Sequence, residues 1–377
     1  MKRLKSIDIF RGICMVYMIT GHLTRWWVQS QFIPPLNFFY LFVEPFGASG
    51  FLFISGLSIA LSFDRKYKQT KLADPFTYKR VKHEYFFKAA IIMAIALLYN
   101  LILGLATGDI AIIWSWFILL TVAISLFFAF PLLHLSNVWR ALVGIGVIAI
   151  NQYFLPLVLP SQGQSNFFGI LYYVFYSGDA LTPILSFFPF FLFGTIIGDL
   201  VYKHILSKSA EENKKAKRNF FIILFSAGAI LAVSGGFLYF PNFILRESLS
   251  WIINSLGLEI CLFSFLLFIE EYDLIKIEGR FKFFFYYSYY SLMIFLGHNI
   301  LALLFWHRLN YYNVWPFVII AFVGITYVLK YLYETKPDLL SVKYYIGTLS
   351  SVLAKFVEEK RGVFKVVEPS SSSDINL

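Results

Sequence analysis

The chain has 377 residues, of which 59% are hydrophobic and only 14% are charged. A soluble domain has roughly 45–50% apolar and about 25% charged residues, so this composition excludes an ordinary soluble protein and indicates one embedded in lipid. The net charge of +10 comes without a nucleic-acid-binding motif, and we therefore expect no nucleic-acid partner. The sequence contains no Walker A loop, dinucleotide fingerprint, zinc-type Cys/His spacing or HExxH motif, so we also expect no metal and no bound cofactor.

Stretches of about 20 apolar residues recur along the whole chain, as membrane-spanning helices require. We predict an all-α integral membrane protein, a polytopic bundle of about ten transmembrane helices. The fifth span is the weakest, because Asn151 and Gln152 interrupt it and Pro156 ends it. The predicted spans in chain order are 7–28, 38–62, 85–106, 110–133, 138–158, 181–202, 219–240, 249–269, 283–305 and 313–333.

Basic residues set the predicted orientation of these spans. About twenty of them lie on one side of the bundle before the carboxy-terminal tail, against about three on the other side, namely Arg25, Arg246 and Arg308. The positive-inside rule therefore predicts a multi-pass protein of the cell membrane with both termini in the cytoplasm. We expect a transmembrane domain over 1–335, a cytoplasmic, interfacial helix over 336–361 and a disordered tail over 362–377.

Three ionisable residues share one predicted depth in the outer half of the membrane. His22 and His298 each lie about 15 residues into a span that runs outwards, and Glu44 lies about 9 Å down from the outer side. Such residues are functional-site candidates by default. The alternatives are that each histidine only hydrogen-bonds a neighbouring helix, and that Glu44, before Pro45, only satisfies a broken helix. Glu259 lies nearer the middle of its span, and we expect it to be structural.

Small residues and basic residues each allow a functional and a structural interpretation. Ser55 and Gly56 in the second span permit either helix packing or the close approach of a ligand. Arg11 and a basic cluster before the third span are expected near the cytoplasmic side, where they set topology, bind anionic lipid or bind phosphate groups. The cluster consists of Lys79, Arg80, Lys82 and Lys88.

Four segments resemble, in order, the signatures of one family. The segment RLKSIDIFRGICMVYMITGH resembles its opening, with Arg11-Gly12 and His22 in the matching places. The segment FGASGFLFISGLSIALSFDRK resembles its phenylalanine-rich Ser-Gly pattern, SGDALTPILSFFPFFLFGTIIG contains Asp179, and SLMIFLGHNILALLF contains His298. The family is the transmembrane acyltransferase superfamily, which includes heparan-α-glucosaminide N-acetyltransferase catalytic-domain-like proteins and acyltransferase family three. Heparan-type members carry a histidine in the outer loop, and residues 23–40 of this chain contain none. The resemblance therefore implies acyl transfer through His22 rather than through a loop histidine.

The resemblance implies an acyl-CoA-dependent acyltransferase. It would move an acyl group, acetyl by resemblance, from the cytosolic co-substrate to a hydroxyl or amine of a saccharide or glycolipid at the outer face. His22 would act as general base or acyl carrier, and Glu44, Asp179 or His298 would orient it or bind the acceptor. Arg11 and the basic cluster would meet the acyl-CoA phosphates, and its arm would pass Ser55 and Gly56.

Two alternatives stay open at this point. A proton-coupled transporter or a lipid or sugar flippase would also use intramembrane histidine and glutamate, but it would be expected to show paired repeats with broken helices. A purely structural membrane subunit would not need His22. The bilayer is a partner in every case, and a homodimer is open.

Overall fold

The computed structural model describes residues 4–34, 36, 43–63, 75–177, 182–207, 214–239, 246–275 and 282–360. These ranges are helical throughout, without a β-strand, and one isolated bridge joins Val28 to Leu309. The helices in chain order are α1 (Lys5–Trp27), α2 (Ala48–Phe63), α3 (Pro75–Thr107), α4 (Ile118–Leu132), α5 (Asn137–Val158), α6 (Phe167–Tyr176), α7 (Ile184–Val201), α8 (Lys214–Leu238), α9 (Leu249–Glu271), α10 (Lys282–Tyr289), α11 (Ser291–Gly297), α12 (Val314–Thr335) and α13 (Val342–Lys360).

The described helices are those of a multi-pass membrane protein. Eight helical segments in these ranges are long and apolar enough to cross a membrane, and the bent pair of α10 and α11 makes a ninth if it forms one span. Helix α1 has 23 residues, enough for roughly 34 Å at 1.5 Å per residue, but its charged residues keep it out of that set. The predicted count of about ten spans and the cytoplasmic termini stay predictions.

Contacts at the two ends of α1 define the two ends of the bundle. The backbone amides of Lys5 and Ser6 donate to the Glu270 carboxylate at 2.9 and 2.7 Å, near the end of α9. At the other end of α1, Val28 pairs with Leu309, just before α12. Phe10 of α1 also contacts Phe263 of α9. A later residue of α1 thus meets an earlier residue of α9, and the two helices are antiparallel. We call the two ends the amino-terminal end, which contains Lys5, and the opposite end, which contains Val28.

Glycines allow the closest helix packing in the core. A Cβ on Gly56 of α2 would lie 2.0 Å from the backbone oxygen of Phe191 on α7, and a Cβ on Gly194 of α7 would lie 2.1 Å from the backbone oxygen of Phe53. Small residues let membrane helices approach backbone to backbone, where dispersion contacts rather than apolar burial drive association. The α2–α7 pair forms a rigid wall beside α1.

The predicted ninth span is broken. Helix α10 ends at Tyr289, α11 begins at Ser291, and the bend between the two helical segments is 68°. The apolar pattern continues through this point with neither Pro nor Gly, so the expectation of one continuous helix over 283–305 was wrong. His298 begins a 3-10 turn, His298–Leu304, directly after α11.

Two other predicted segments can be compared with the structure. In the described part of the second predicted span, 38–62, a 3-10 turn at Glu44–Phe46 and Gly47 precede α2, which begins at Ala48. Residues 38–42 lie outside the described residues. Helix α13 falls within the predicted 336–361 segment and packs on α3 through Arg80, whose guanidinium donates to the Ser351 hydroxyl at 3.3 Å. Its interfacial position stays a prediction, and residues 361–377 lie outside the described residues.

Candidate active site

A cavity of about 170 Å³ lies beside the half of α1 that faces the opposite end. Its α1 residues recur at intervals of three and four, which places them on one helical face. The other walls come from the turn at Glu44, the start of α2, the start of α4, and α11. The α1 face comprises Cys14, Met15, Tyr17, Met18, Gly21, His22 and Arg25.

His22 and His298 meet at this cavity although they lie in the first and the ninth predicted spans. Their ring centroids are 5.0 Å apart, and the Trp26 ring stacks on both at 4.9 and 5.5 Å. His22 lines the cavity, whereas His298, only 5% exposed, lies behind it. The two histidines that the sequence placed at one depth are therefore brought together, while their chemical roles stay predictions.

The hydrogen bonding of His298 selects one tautomer. Its Nδ1 lies 2.7 Å from the backbone oxygen of Phe295, and a carbonyl accepts only if Nδ1 carries the proton. Its Nε2 then has a lone pair, and this atom is buried with no hydrogen-bond partner among the described residues. A fixed tautomer with an open acceptor is the state in which a histidine receives or positions a proton.

Charged residues surround the same cavity next to His22. Glu44 forms an ion pair with Arg246, and both line the cavity together with Arg25. Arg246 is positioned from α5, because the side-chain amides of Asn151 and Gln152 donate to the backbone oxygen of Glu247 at 3.1 and 2.9 Å. Glu44 thus shares the cavity with His22.

Glu247 is unusual for a residue in a connection. Its φ is 69°, in the left-handed region, and the residue is only 6% exposed. Burial raises the pKa of its carboxyl to about 7, against the opposing effect of the neighbouring Arg246. A buried, strained turn next to Arg246 indicates that the position of this guanidinium is held by the fold.

The other sequence-predicted binding residues do not line this cavity. The Arg11 guanidinium donates to the Ser58 hydroxyl at 2.8 Å and lies 3.8 Å from Asp8, and so joins α1 to α2. The Ser55 hydroxyl donates to the backbone oxygen of Phe51 at 2.6 Å. Gly56 serves helix packing, the structural alternative given for it above, since α7 fills the space beside it. Their roles in donor binding stay predictions.

The basic cluster lies at the start of α3, by the amino-terminal end. Lys79 and Lys82 are exposed, and the Lys82 ammonium lies 5.8 Å from the centre of the Phe130 ring. Arg80 contacts α13. Asp179 lies outside the described residues. In the described ranges, no group of three or more His, Cys, Asp or Glu side chains could hold a metal ion.

Two residues at the cavity, Arg25 and Arg246, were not predicted as site residues from the sequence, in which they only indicated the topology. Arg25 follows His22 by three positions, and i, i+3 spacing on a helix places both on one face, so a signal was present. Arg246 lies in a connection with no periodicity, and its approach to Glu44 depends on the tertiary fold. The sequence offered no sign of that contact.

Comparison with known proteins gives one family. The family model described as "Heparan-alpha-glucosaminide N-acetyltransferase, catalytic" matches residues 3–233, more than half of the chain. The match contains His22, Glu44 and the helices through most of α8, whereas Arg246 and His298 lie beyond it. No curated protein matches this chain.

Proposed function

Because this chain belongs to the family of the heparan-alpha-glucosaminide N-acetyltransferase catalytic domain, we propose that it is a membrane-embedded acyltransferase that moves acetyl from acyl-CoA to a saccharide. The family membership supports acetyl transfer as the reaction class. The acceptor would be a hydroxyl or amine of a saccharide or glycolipid. The acyl-CoA would be a co-substrate that leaves after each turnover.

One observation carries the proposal. His22 lines a cavity that also contains Glu44, Arg25 and Arg246, and a second imidazole lies directly behind it, with ring centroids 5.0 Å apart. General base catalysis needs an imidazole within reach of the nucleophile and oriented by a neighbour. Charged side chains at the same cavity supply hydrogen-bonding partners for a polar acceptor.

The transfer step follows from these groups. A nitrogen of His22 takes the proton of the acceptor hydroxyl or amine while that oxygen or nitrogen attacks the thioester carbonyl. The carbon–sulfur bond breaks, and the leaving thiolate takes the proton back from His22, so no net proton is released. An acyl-imidazole at His22 is the alternative route, in which the acyl group rests on the ring before the acceptor attacks.

The sidedness of the reaction is part of the proposal. The donor would arrive from the cytoplasm at the amino-terminal end, where the exposed Lys79 and Lys82 lie, and charge-assisted contacts to its phosphates are strong. The acceptor would enter at the opposite end, through the side of the cavity with Arg25, Glu44 and Arg246. Both termini would then be cytoplasmic in a cell-membrane protein.

The test is acetyl transfer by the purified full chain in liposomes, from labelled acetyl-CoA to a panel of saccharides. We expect His22→Ala to lower kcat by at least about 100-fold, the usual contribution of a general base. Added imidazole should restore part of this loss. His204→Ala is the matched control, because His204 stacks on Phe220 away from the cavity.

Two outcomes would contradict the proposal. Parent-like activity of His22→Ala would exclude His22 as base and as acyl carrier. Proton-coupled flux of a saccharide or lipid by the parent, without acetyl transfer, would favour the transporter.

A further inference from the structure

A layer of buried polar side chains lies on three helices that meet next to the floor of the cavity, and of its members Cys14 of α1 lines the cavity itself. A Cβ on Gly50 of α2 would lie 3.2 Å from the Cys14 Sγ. Ser49 precedes Gly50, and Glu259 of α9 lies beside Ser49. All three polar side chains are buried, at 2%, 1% and 0% exposure in chain order.

An aromatic layer shows at which level along the bundle this polar layer lies. Phe10, Phe53 and Phe263 form a mutually contacting triad, with ring centroids 6.0 to 6.4 Å apart. Phe10 precedes Cys14 by four residues, Phe53 follows Ser49 by four, and Phe263 follows Glu259 by four. Residues four apart lie one above the other on a helix. The polar layer is therefore one turn from the aromatic layer, on the side that faces the cavity.

Glu259 lacks the partners that its burial requires. Neither carboxyl oxygen has a hydrogen-bond partner among the described residues. The Ser49 hydroxyl is the neighbour that acts on this carboxyl, but its single hydrogen is donated to the backbone oxygen of Pro45 at 3.0 Å. A buried polar group without a partner costs free energy of about 1–3 kcal/mol, and more when charged. A buried group of this kind requires an explanation, and a ligand that supplies the missing hydrogen bond is one. Ionisable residues in membrane spans are functional candidates by default.

We propose that Glu259 binds an amide N–H of the donor's arm, and so selects acyl donors whose thioester is carried on an amide-containing chain. The inference rests on the proposed function. Cys14 and His22 are eight residues apart, or about 12 Å along α1. In a pantetheine-type arm, seven bonds join the thioester sulfur to the second amide nitrogen, which spans about 8 Å when extended. With the thioester at His22, the side chains of His22 and Glu259 cover the remaining distance.

The test compares donors with the full chain in liposomes. Acetyl-pantetheine carries two amides, and S-acetyl-2-mercaptoethanol carries none. Glu259→Met keeps the length of the side chain and removes its acceptors. We expect it to raise KM for acetyl-pantetheine about tenfold, the loss of one buried hydrogen bond. Its kcat, and its KM for S-acetyl-2-mercaptoethanol, should stay within about twofold.

Two further variants separate binding from folding. Glu259→Gln keeps an acceptor oxygen and should give a donor KM close to that of the parent. Glu271→Met, on the same helix but paired with Lys217 at the amino-terminal end, is the control and should leave both donor KM values unchanged. If Glu259→Met does not fold, N-methylated acetyl-pantetheine with the parent protein gives the same test, with an expected KM increase of about tenfold.

The possible results are distinguishable. Equal KM values for acetyl-pantetheine in the parent and in Glu259→Met, or for its N-methylated form in the parent, would overturn the inference. An equal rise in KM for both donors would overturn it too, since it would indicate a packing role. A parent that transfers acetyl neither from these two donors nor from acetyl-CoA would contradict the proposed function itself.

Discussion

The pair of imidazoles at the cavity differs in what each ring can do. His22 faces the cavity, while His298 is held by Phe295 in the tautomer that leaves Nε2 as acceptor. The open Nε2 next to the His22 ring suits a residue that orients the first imidazole. In the proposed mechanism, His298 is therefore a positioning residue, and His22 is the residue that touches the substrates.

This difference leads to a prediction for His298→Ala. If the acceptor binds in front of His22, as proposed, the variant should lower kcat by more than about tenfold and change the acceptor KM by less than about threefold. The measurement is steady-state acetyl transfer with both substrates varied. A purely structural role would instead lower the amount of folded protein at an unchanged kcat, and that result would remove His298 from the mechanism.

The Glu44–Arg246 ion pair gives a second prediction at this scale. Contacting residues are energetically coupled, so Glu44→Gln and Arg246→Met should each lower kcat/KM for the acceptor about tenfold, and the double variant should lose less than the product of the two. Glu334→Gln, an exposed carboxylate on α12, is the control. Independent, multiplying effects would show that the two residues do not act as a pair.

At the scale of the elements, the α2–α7 contact depends on glycine. Even a methyl group on Gly56 would collide with the Phe191 backbone oxygen, and backbone cannot move aside as a flexible side chain can. Gly56→Ala should therefore lower the melting temperature by several degrees, whereas Gly146→Ala on α5, with nothing within 4 Å of its Cβ position, should leave it unchanged or raised. Thermal unfolding in detergent measures both. Equal melting temperatures would contradict this view of the contact.

Most helices could be predicted from the sequence, because long apolar runs report burial in lipid directly. The eighth predicted span, 249–269, lies within α9, and the fifth, 138–158, coincides with α5 apart from one residue. The bend at Tyr290 could not be predicted. Tertiary contacts stabilise the bend, and the hydropathy of a segment does not depend on the direction in which its helix runs. Ser288, beside the bend, donates to Asp8 at 3.1 Å, an interaction between residues 280 positions apart.

For the whole molecule, Glu247 predicts a pH-dependent stability. Burial holds the pKa of this carboxyl at about 7, above its ordinary 4.5, so between these values the folded protein keeps a proton that the unfolded chain releases. The contribution of Glu247 to stability is therefore full below pH 4.5 and is lost as the pH rises through about 7. Glu247→Gln does not ionise and should escape this loss.

The measurement is the melting temperature of the parent and of Glu247→Gln in detergent, between about pH 4.5 and about 8. The advantage of the variant should grow from pH 4.5 to about 7 and level off above that. A difference that does not change with pH would mean that Glu247 has an ordinary pKa in the folded protein.

The assembly of the site shows what sequence reasoning reaches and where it stops. Depth in the membrane can be counted along a helix, and this count alone assigns His22 and His298 to one level. Which helices are neighbours cannot be derived from such a count of residues. Mid-depth alone predicts a structural Glu259, whereas the cavity descends along α1 as far as Cys14 and the contact of Phe10 with Phe263, one turn away, brings α9 to that level. The binding role of Glu259 stays a proposal.

Helix α13 connects the amino-terminal end of the bundle to the segment that leads to His298. The Lys343 ammonium donates to the backbone oxygen of Ser288 at 2.7 Å, where the chain turns by 68°. Beyond that turn, α11 leads directly to the His298 imidazole. If α13 lies at the membrane surface, as the sequence predicts, a force that shifts α13 would act on this carbonyl and rotate the short helix α11 that leads to His298. The rate of the proposed reaction would then respond to what contacts α13, away from the substrates.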